Sequence, residues 1–236
     1  MTTALITGAS AGLGRALATA LAQHHWHLVL DARGAERLAD TAEGLQAYTT
    51  VDAVPGSVTD PEHREALVAA VRRSGDLSLL VHNASDLGGS PLPRLSELTP
   101  AALRTVLETN LVAPWALTQA LLPELERTEA TVLAISSDAA VEHYEGWGGY
   151  GASKAALDHL MGTFAAEHPR IRWYSVDPGD MRTEMHQAAF PGEDINDRPL
   201  PETVVPALLD LVQRRPPSGR YRAADLAVQQ DVEVSA

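Results

Sequence analysis

The chain of 236 residues has no cysteine. Disulfides, thiolate catalysis and Cys-ligated zinc are therefore excluded, and a reducing compartment suits the composition. Lysine is nearly missing as well: Lys154 stands alone among 18 basic residues, against 31 Asp plus Glu. A net charge of −13 repels phosphate backbones and anionic lipid, so neither nucleic acid nor membrane is an expected partner. Any anion must be held by a local device. No apolar run approaches the roughly 18 residues that span a bilayer. Met1 to Ala22 carries Arg15 and three glycines where a signal peptide needs an uninterrupted apolar segment, so we read the sequence as mature and cytoplasmic.

What is present is the composition of a soluble globular protein, 45% hydrophobic and 21% charged, at a length that fits one domain over 1–236. Short apolar runs at Ala4–Thr7, Leu28–Asp31, Thr49–Val54, Leu77–His82, Thr131–Ser136 and Arg172–Asp177 read as strands. Between them, Gly14–His24, Glu36–Gln46, Pro61–Arg73, Pro100–Leu125 and Tyr150–His168 return apolar residues every three or four positions, as helices do. A helix over Glu202–Arg214 and a strand near Arg220–Ala223 close the pattern, and Pro178–Pro201 reads as a long irregular loop. Continuously apolar strands alternating with helices predict a parallel sheet covered on both faces, the doubly wound α/β (Rossmann) fold. The His24-His25-x-His27 cluster lies at a helix-to-strand turn and predicts no metal site.

After the first strand comes Thr7-Gly8-Ala9-Ser10-Ala11-Gly12-Leu13-Gly14, and then a helix. Such a turn lets a pyrophosphate approach bare backbone, and the helix N-terminus offers it free N–H groups and a partial positive charge. Farther on, Tyr150 and Lys154 are four apart, one turn of helix on one face. An ammonium near a phenol favours the phenolate, which suits acid–base work by a group whose ordinary pKa is about 10.

These motifs together resemble the short-chain dehydrogenases/reductases over nearly the whole chain. The glycine turn matches T-G-x-x-x-G-x-G; His82-Asn83-Ala84-Ser85 is similar to N-N-A-G; Tyr150-Gly151-Ala152-Ser153-Lys154 matches Y-x-x-x-K; and Pro178-Gly179 with Thr183 matches P-G…T. The resemblance implies a catalytic set of Asn110, Ser137, Tyr150 and Lys154. Tyr150 would donate the proton to a carbonyl oxygen, Ser137 orient that oxygen and Lys154 bind the cofactor ribose and lower the phenol pKa. Pro114 has no N–H for the Asn110 carbonyl four residues back, and this open carbonyl would hold a water linking Lys154 to solvent. The implied cofactor set is Thr7, Gly8, Ser10, Gly12, Leu13, Gly14, Arg33, Ser57, Val58, Asn83, Ala84, Tyr150, Lys154, Pro178, Gly179, Met181 and Thr183.

Aligned to the family, Ala32 falls where an acid would bind the adenosine ribose, and Arg33 where a cation would bind a 2′-phosphate. NADP(H) is therefore favoured, with NAD(H) possible because Asp31 stands one residue earlier. Ser57 stands where the family commonly has Asp, and Ser85 where it has Gly. Tyr144, Trp147 and Met185 are candidate walls for a small carbonyl or alcohol substrate. By the resemblance, the helices around Pro100–Leu125 and Tyr150–His168 would pack against another subunit, in a homodimer or homotetramer. A catalytically silent NADP-binding regulator is the alternative, which the intact Ser137, Tyr150 and Lys154 oppose.

Overall fold

The computed structural model describes residues 2–226; residues 227–236 of the expected domain lie outside the described residues. Seven parallel strands form one sheet in the order β3-β2-β1-β4-β5-β6-β7. They are β1 (Thr2–Ile6), β2 (His27–Ala32), β3 (Val51–Pro55), β4 (Asp76–His82), β5 (Thr131–Ile135), β6 (Arg172–Asp177) and β7 (Gly219–Arg222). Every residue of β2 and of β5 is buried, whereas β3 and β7, at the two edges, are partly exposed. That is the physical reason the inner strands read as unbroken apolar runs: helices cover both of their faces.

Side chains alternate across the sheet and divide the interior into two cores. Ala4 and Ile6 of β1 join Leu28, Leu30, Val81 and Val176 on one face, under α1 (Gly12–Gln23) and α8 (Val205–Arg214). Leu5, Val29, Leu80 and Val132 face the other way, under α3 (Pro61–Ser74), α5 (Ala113–Thr128) and α6 (Gly148–Glu167). The chain winds outward in both directions from β1 and β4, so the strand order reverses between them and a crevice opens beyond their carboxyl ends.

Local signals set the helix starts. Asp60 accepts from Glu62 N–H with Pro61 in the first turn, and Thr99 accepts from Ala102 N–H ahead of α4 (Pro100–Leu107). α2 spans Ala35–Leu45.

Three expectations need correcting. The helix expected over Pro100–Leu125 is interrupted: after α4 the chain widens into a π-helical turn at Glu108–Val112 before α5 begins. Pro114 follows that turn, and the helical ladder loses a donor there. The stretch Pro178–Pro201 contains a short helix, α7 (Glu184–Ala189), capped by Thr183 Oγ1 accepting from His186 N–H; six residues are too few to print a period. The helix expected over Glu202–Arg214 starts at Val205, after a 3-10 turn at Pro201–Thr203.

Candidate active site

The crevice holds a cleft of about 1180 Å³. One end is lined by the glycine turn, the end of β2 and the loop after β3; the other by the ends of β4, β5 and β6 and by α7.

Gly8 and Gly12 turn with φ of +67° and +51°, which only glycine adopts cheaply. A Cβ on Gly14 would lie 2.3 Å from the Gly8 carbonyl oxygen, so the turn and α1 pack as closely as two backbones can. Ala11 precedes α1 without a side-chain cap, and the first turn carries no acid. The N–H groups there are thus free for an anion. Gly8, Ser10, Gly12 and Leu13 line the cleft. Thr7 and Gly14 stand behind its wall. Thr7 Oγ1 donates to the Val81 carbonyl (3.2 Å) and accepts from Asn83 and Ala84 N–H (3.0 and 3.1 Å); Asn83 Nδ2 donates back to the Thr7 and Gly8 carbonyls at 2.9 and 3.0 Å. These bonds hold the ends of β1 and β4 in register, which is work of scaffold, not of ligand contact.

At the adenosine end, Arg33, Ser57 and Val58 line the cleft. Arg33 is exposed and forms no ion pair among the described residues. Asp31 is committed elsewhere: its Oδ1 lies 2.6 Å from His63 Nε2, both side chains are almost fully buried, and its Oδ2 accepts weakly from Gly8 N–H at 3.4 Å. His63 packs against bare backbone, for a Cβ on Gly56 would meet its ring at 2.2 Å. The pairing joins residues 32 apart and left no trace in the sequence. Across the cleft, Arg37 of α2 makes a two-pronged bond to Glu184 of α7, both contacts 2.9 Å. Pro178, Gly179, Met181 and Thr183 line this side.

At the other end, α6 starts two residues earlier than expected, which puts Tyr150 in its first turn, and the spacing of four carries Lys154 to the same face. Both line the cleft though nearly all their surface is buried. Lys154 Nζ donates to the Ile135 carbonyl at 2.7 Å and sits 5.5 Å from the Tyr150 ring centroid. Burial pulls this ammonium down to about 8, against the opposing effect of Asp158. Burial also pushes the Tyr150 phenol up to about 12. The hydroxyls of Ser85 and Ser137 pull the other way, while the carboxylates of Asp138 and Asp177 add to the rise. Desolvation is the largest influence on the phenol here, and the Lys154 ammonium is engaged by a strand carbonyl.

Ser137 Oγ donates to Asp138 Oδ1 (2.9 Å), whose Oδ2 accepts from the Tyr144 hydroxyl (2.9 Å). Tyr144, Trp147 and Met185 line the cleft beside it, and Trp147 meets Tyr150 edge to face with centroids 5.6 Å apart. Asn110 does not reach the cleft. It is 1% exposed; its Nδ2 donates to Ser153 Oγ and the Asp86 carbonyl, and its Oδ1 accepts from Ser85 Oγ and Asp86 N–H. Arg220 is a residue that sequence reasoning missed: from β7 it bonds the Ser137 carbonyl (2.9 Å) and Asp158 (3.1 Å), and lies 3.7 Å from Asp177.

Comparison with known proteins gives the same answer from several directions. The family model for short chain dehydrogenase matches residues 2–194. The uncharacterized oxidoreductase YciK of Escherichia coli K12 is 31% identical over 217 residues, covering 88% of this chain and 84% of its own. An alcohol dehydrogenase from the archaeon Thermococcus sibiricus, solved with 5-hydroxy-NADP, superposes with a TM-score of 0.84 at 29% identity, over 94% of this chain and 96% of its own. A structure from Escherichia coli CFT073 complexed with NADPH gives 0.83 at 29% identity, over the same shares.

Proposed function

The chain belongs to the short-chain dehydrogenase/reductase family, and from that premise we propose that it moves a hydride between NADP(H) and the carbonyl or secondary alcohol of a small molecule, with Tyr150 as acid and base. The observation that carries this reading is a phenol and an ammonium on one helical face, lining the same cleft as a free helix N-terminus behind a glycine turn. When bound, the cofactor supplies or accepts the hydride and, in its oxidised form, brings a positive ring into the cleft.

The residues present fit that group. Gly8, Ser10, Gly12 and Leu13 would hold the pyrophosphate, Ser57 and Val58 the adenine, Asn83 and Ala84 the cleft floor, and Pro178, Gly179, Met181 and Thr183 the nicotinamide side. Thr7 and Gly14 act by fixing the turn. NADP(H) is favoured over NAD(H) because Asp31 is already engaged by His63 at 2.6 Å, whereas Arg33 is exposed and forms no ion pair among the described residues. The bound cofactors of the Thermococcus sibiricus and CFT073 structures point the same way.

In reduction, Tyr150 gives its proton to the substrate oxygen while Ser137 orients that oxygen. In oxidation the phenolate takes the proton back. Lys154 would release the Ile135 carbonyl to bind ribose hydroxyls, as a compact charge with rotatable donors can. Asn110 acts from behind the wall by bracing Ser85, Asp86 and Ser153.

The test is an NADPH-oxidation screen against ketones, aldehydes, quinones and keto-esters, with Tyr150→Phe as the blank. Turnover that vanishes in the variant while NADPH binding stays supports the reading. A protein that binds NADPH yet reduces nothing, with a cellular role untouched by Tyr150→Phe, would instead be a silent cofactor-binding regulator. A clear preference for NADH would overturn the cofactor assignment.

A further inference from the structure

Arg220 belongs to β7, at the edge of the sheet, where an arginine ordinarily lies along solvent. The alternation of the strand sends Tyr221 to the core under α1 and α8, and Arg220 to the opposite face, toward α6; its side chain is 27% exposed. Three contacts hold it there. Nη2 donates to the Ser137 carbonyl at 2.9 Å, Nε donates to Asp158 Oδ2 at 3.1 Å, and Nη2 lies 3.7 Å from Asp177 Oδ2.

Each contact lands on an element that carries part of the site. The Ser137 carbonyl also accepts from Ala140 N–H, at 3.1 Å, so the guanidinium braces the 3-10 turn at Asp138–Ala140 that begins at Ser137. Asp158 follows Lys154 by one turn of α6, as Lys154 follows Tyr150. Asp177 ends β6, and its Oδ1 accepts from Gly179 N–H at 3.0 Å, which shapes the Pro178–Gly179 turn along the cleft. Both carboxylates are largely buried, and the one guanidinium faces the two of them. A planar fork with several fixed donors can serve three acceptors at once, as an ammonium on a flexible stem cannot.

We propose that Arg220 is a positioning residue for Ser137 and for the Tyr150–Lys154 pair, one guanidinium tying the ends of β5 and β6 to the face of α6 that carries the acid–base groups. The inference rests on the roles proposed for Ser137, Tyr150 and Lys154. Without the guanidinium, the backbone at Ser137 loses a bond, and α6 loses its tie to both strand ends. Asp158 and Asp177 also lose the cation they share, in a place where water compensates them poorly. Asp177 already opposes ionisation of the Tyr150 phenol, and would do so with less to offset it.

The experiment measures ketone reduction by NADPH in the wild type, Arg220→Ala and Arg220→Lys, below the Tm of each, beside the Kd for NADPH. Arg220→Ala should lower kcat about tenfold, the scale of a reacting group held out of line, while the Kd for NADPH stays within about twofold of the wild type. Methylguanidinium added at millimolar concentration should restore much of the lost kcat, because the partly exposed side chain leaves a space that solutes can enter. Urea, planar but uncharged, should not. Arg220→Lys, which keeps the charge and loses the fork, should fall between alanine and the wild type. A purely structural role would lower Tm and leave kcat of the folded protein unchanged. Wild-type kcat in folded Arg220→Ala would overturn the proposal, as would a loss that methylguanidinium and urea repair equally or not at all. Should the alanine variant fail to fold, the lysine variant carries the test: a lowered kcat at unchanged Kd supports the proposal, and wild-type kcat overturns it. If Tyr150→Phe itself keeps full activity, the reading of the site falls and this inference with it; loss in Tyr150→Phe beside an unimpaired Arg220→Ala strikes the inference alone.

Discussion

Lys154 is buried with its ammonium on a strand carbonyl, in a space that suits a compact charge and no planar fork. Lys154→Arg should therefore lower kcat/KM by about a hundredfold, at the scale of losing a positioned acid–base partner. Steady-state kinetics beside a Kd for NADPH checks it; near wild-type turnover would count against the role. Arg33→Ala should cost NADPH about tenfold in kcat/KM and leave NADH nearly unchanged, since a charge-assisted contact to a 2′-phosphate exists only with the former. The pairing of Tyr150 with Lys154 was legible because helical geometry turns a spacing of four into adjacency. The partners of other residues were not. Asp31 meets His63 from 32 positions away, and Arg220 reaches Ser137 from 83; nothing in local pattern foretells such contacts. The sequence favoured NADP(H) through Arg33 and kept NAD(H) possible through Asp31; the His63 contact that engages Asp31 supports the same preference.

At the scale of elements, the strands and their parallel arrangement followed from apolar runs, because each inner strand is covered on both faces, whereas their order is known from the structure alone. Helix interiors were legible too; their irregularities were not. The π-turn at Glu108–Val112 keeps a helical composition, and only Pro114 hinted at it. Short α7 is held by one threonine cap and by the Arg37–Glu184 bond. The turn before α1 gives a sharper case. A methyl on Gly14 must push away a backbone oxygen 2.3 Å off, so Gly14→Ala should destabilise the fold by about 1–3 kcal/mol and weaken NADPH binding together with it. Thermal denaturation with and without NADPH separates the two effects; an unchanged Tm and Kd would contradict the packing described.

For the whole molecule, acid stability is tied to the end of β4. His82 stands where the family motif has Asn; it is 3% exposed and bonds Thr118 Oγ1 at 2.7 Å. Burial, aided by the Lys154 charge, pulls its imidazole down to about 3 from an ordinary 6.5. Between those values the unfolded chain binds a proton that the folded chain refuses, so stability rises with pH there. It is intact above about 6.5 and is lost progressively as pH falls toward 3. The loss should be on the order of a few kcal/mol, and His82→Asn should flatten it in urea titrations across that range. A variant with the same acid limb as the wild type would assign acid unfolding elsewhere.

The measurement that bears most directly on the chemistry is transfer of deuterium from NADPH, labelled on its transferable position, to a ketone that the screen finds active. Mass spectrometry of the alcohol should place the label on the carbinol carbon with the wild type. With Tyr150→Phe the rate should fall by about a hundredfold or more while NADPH binds as before. Label transfer by the variant at the wild-type rate would contradict the assignment of Tyr150, and with it the central claim.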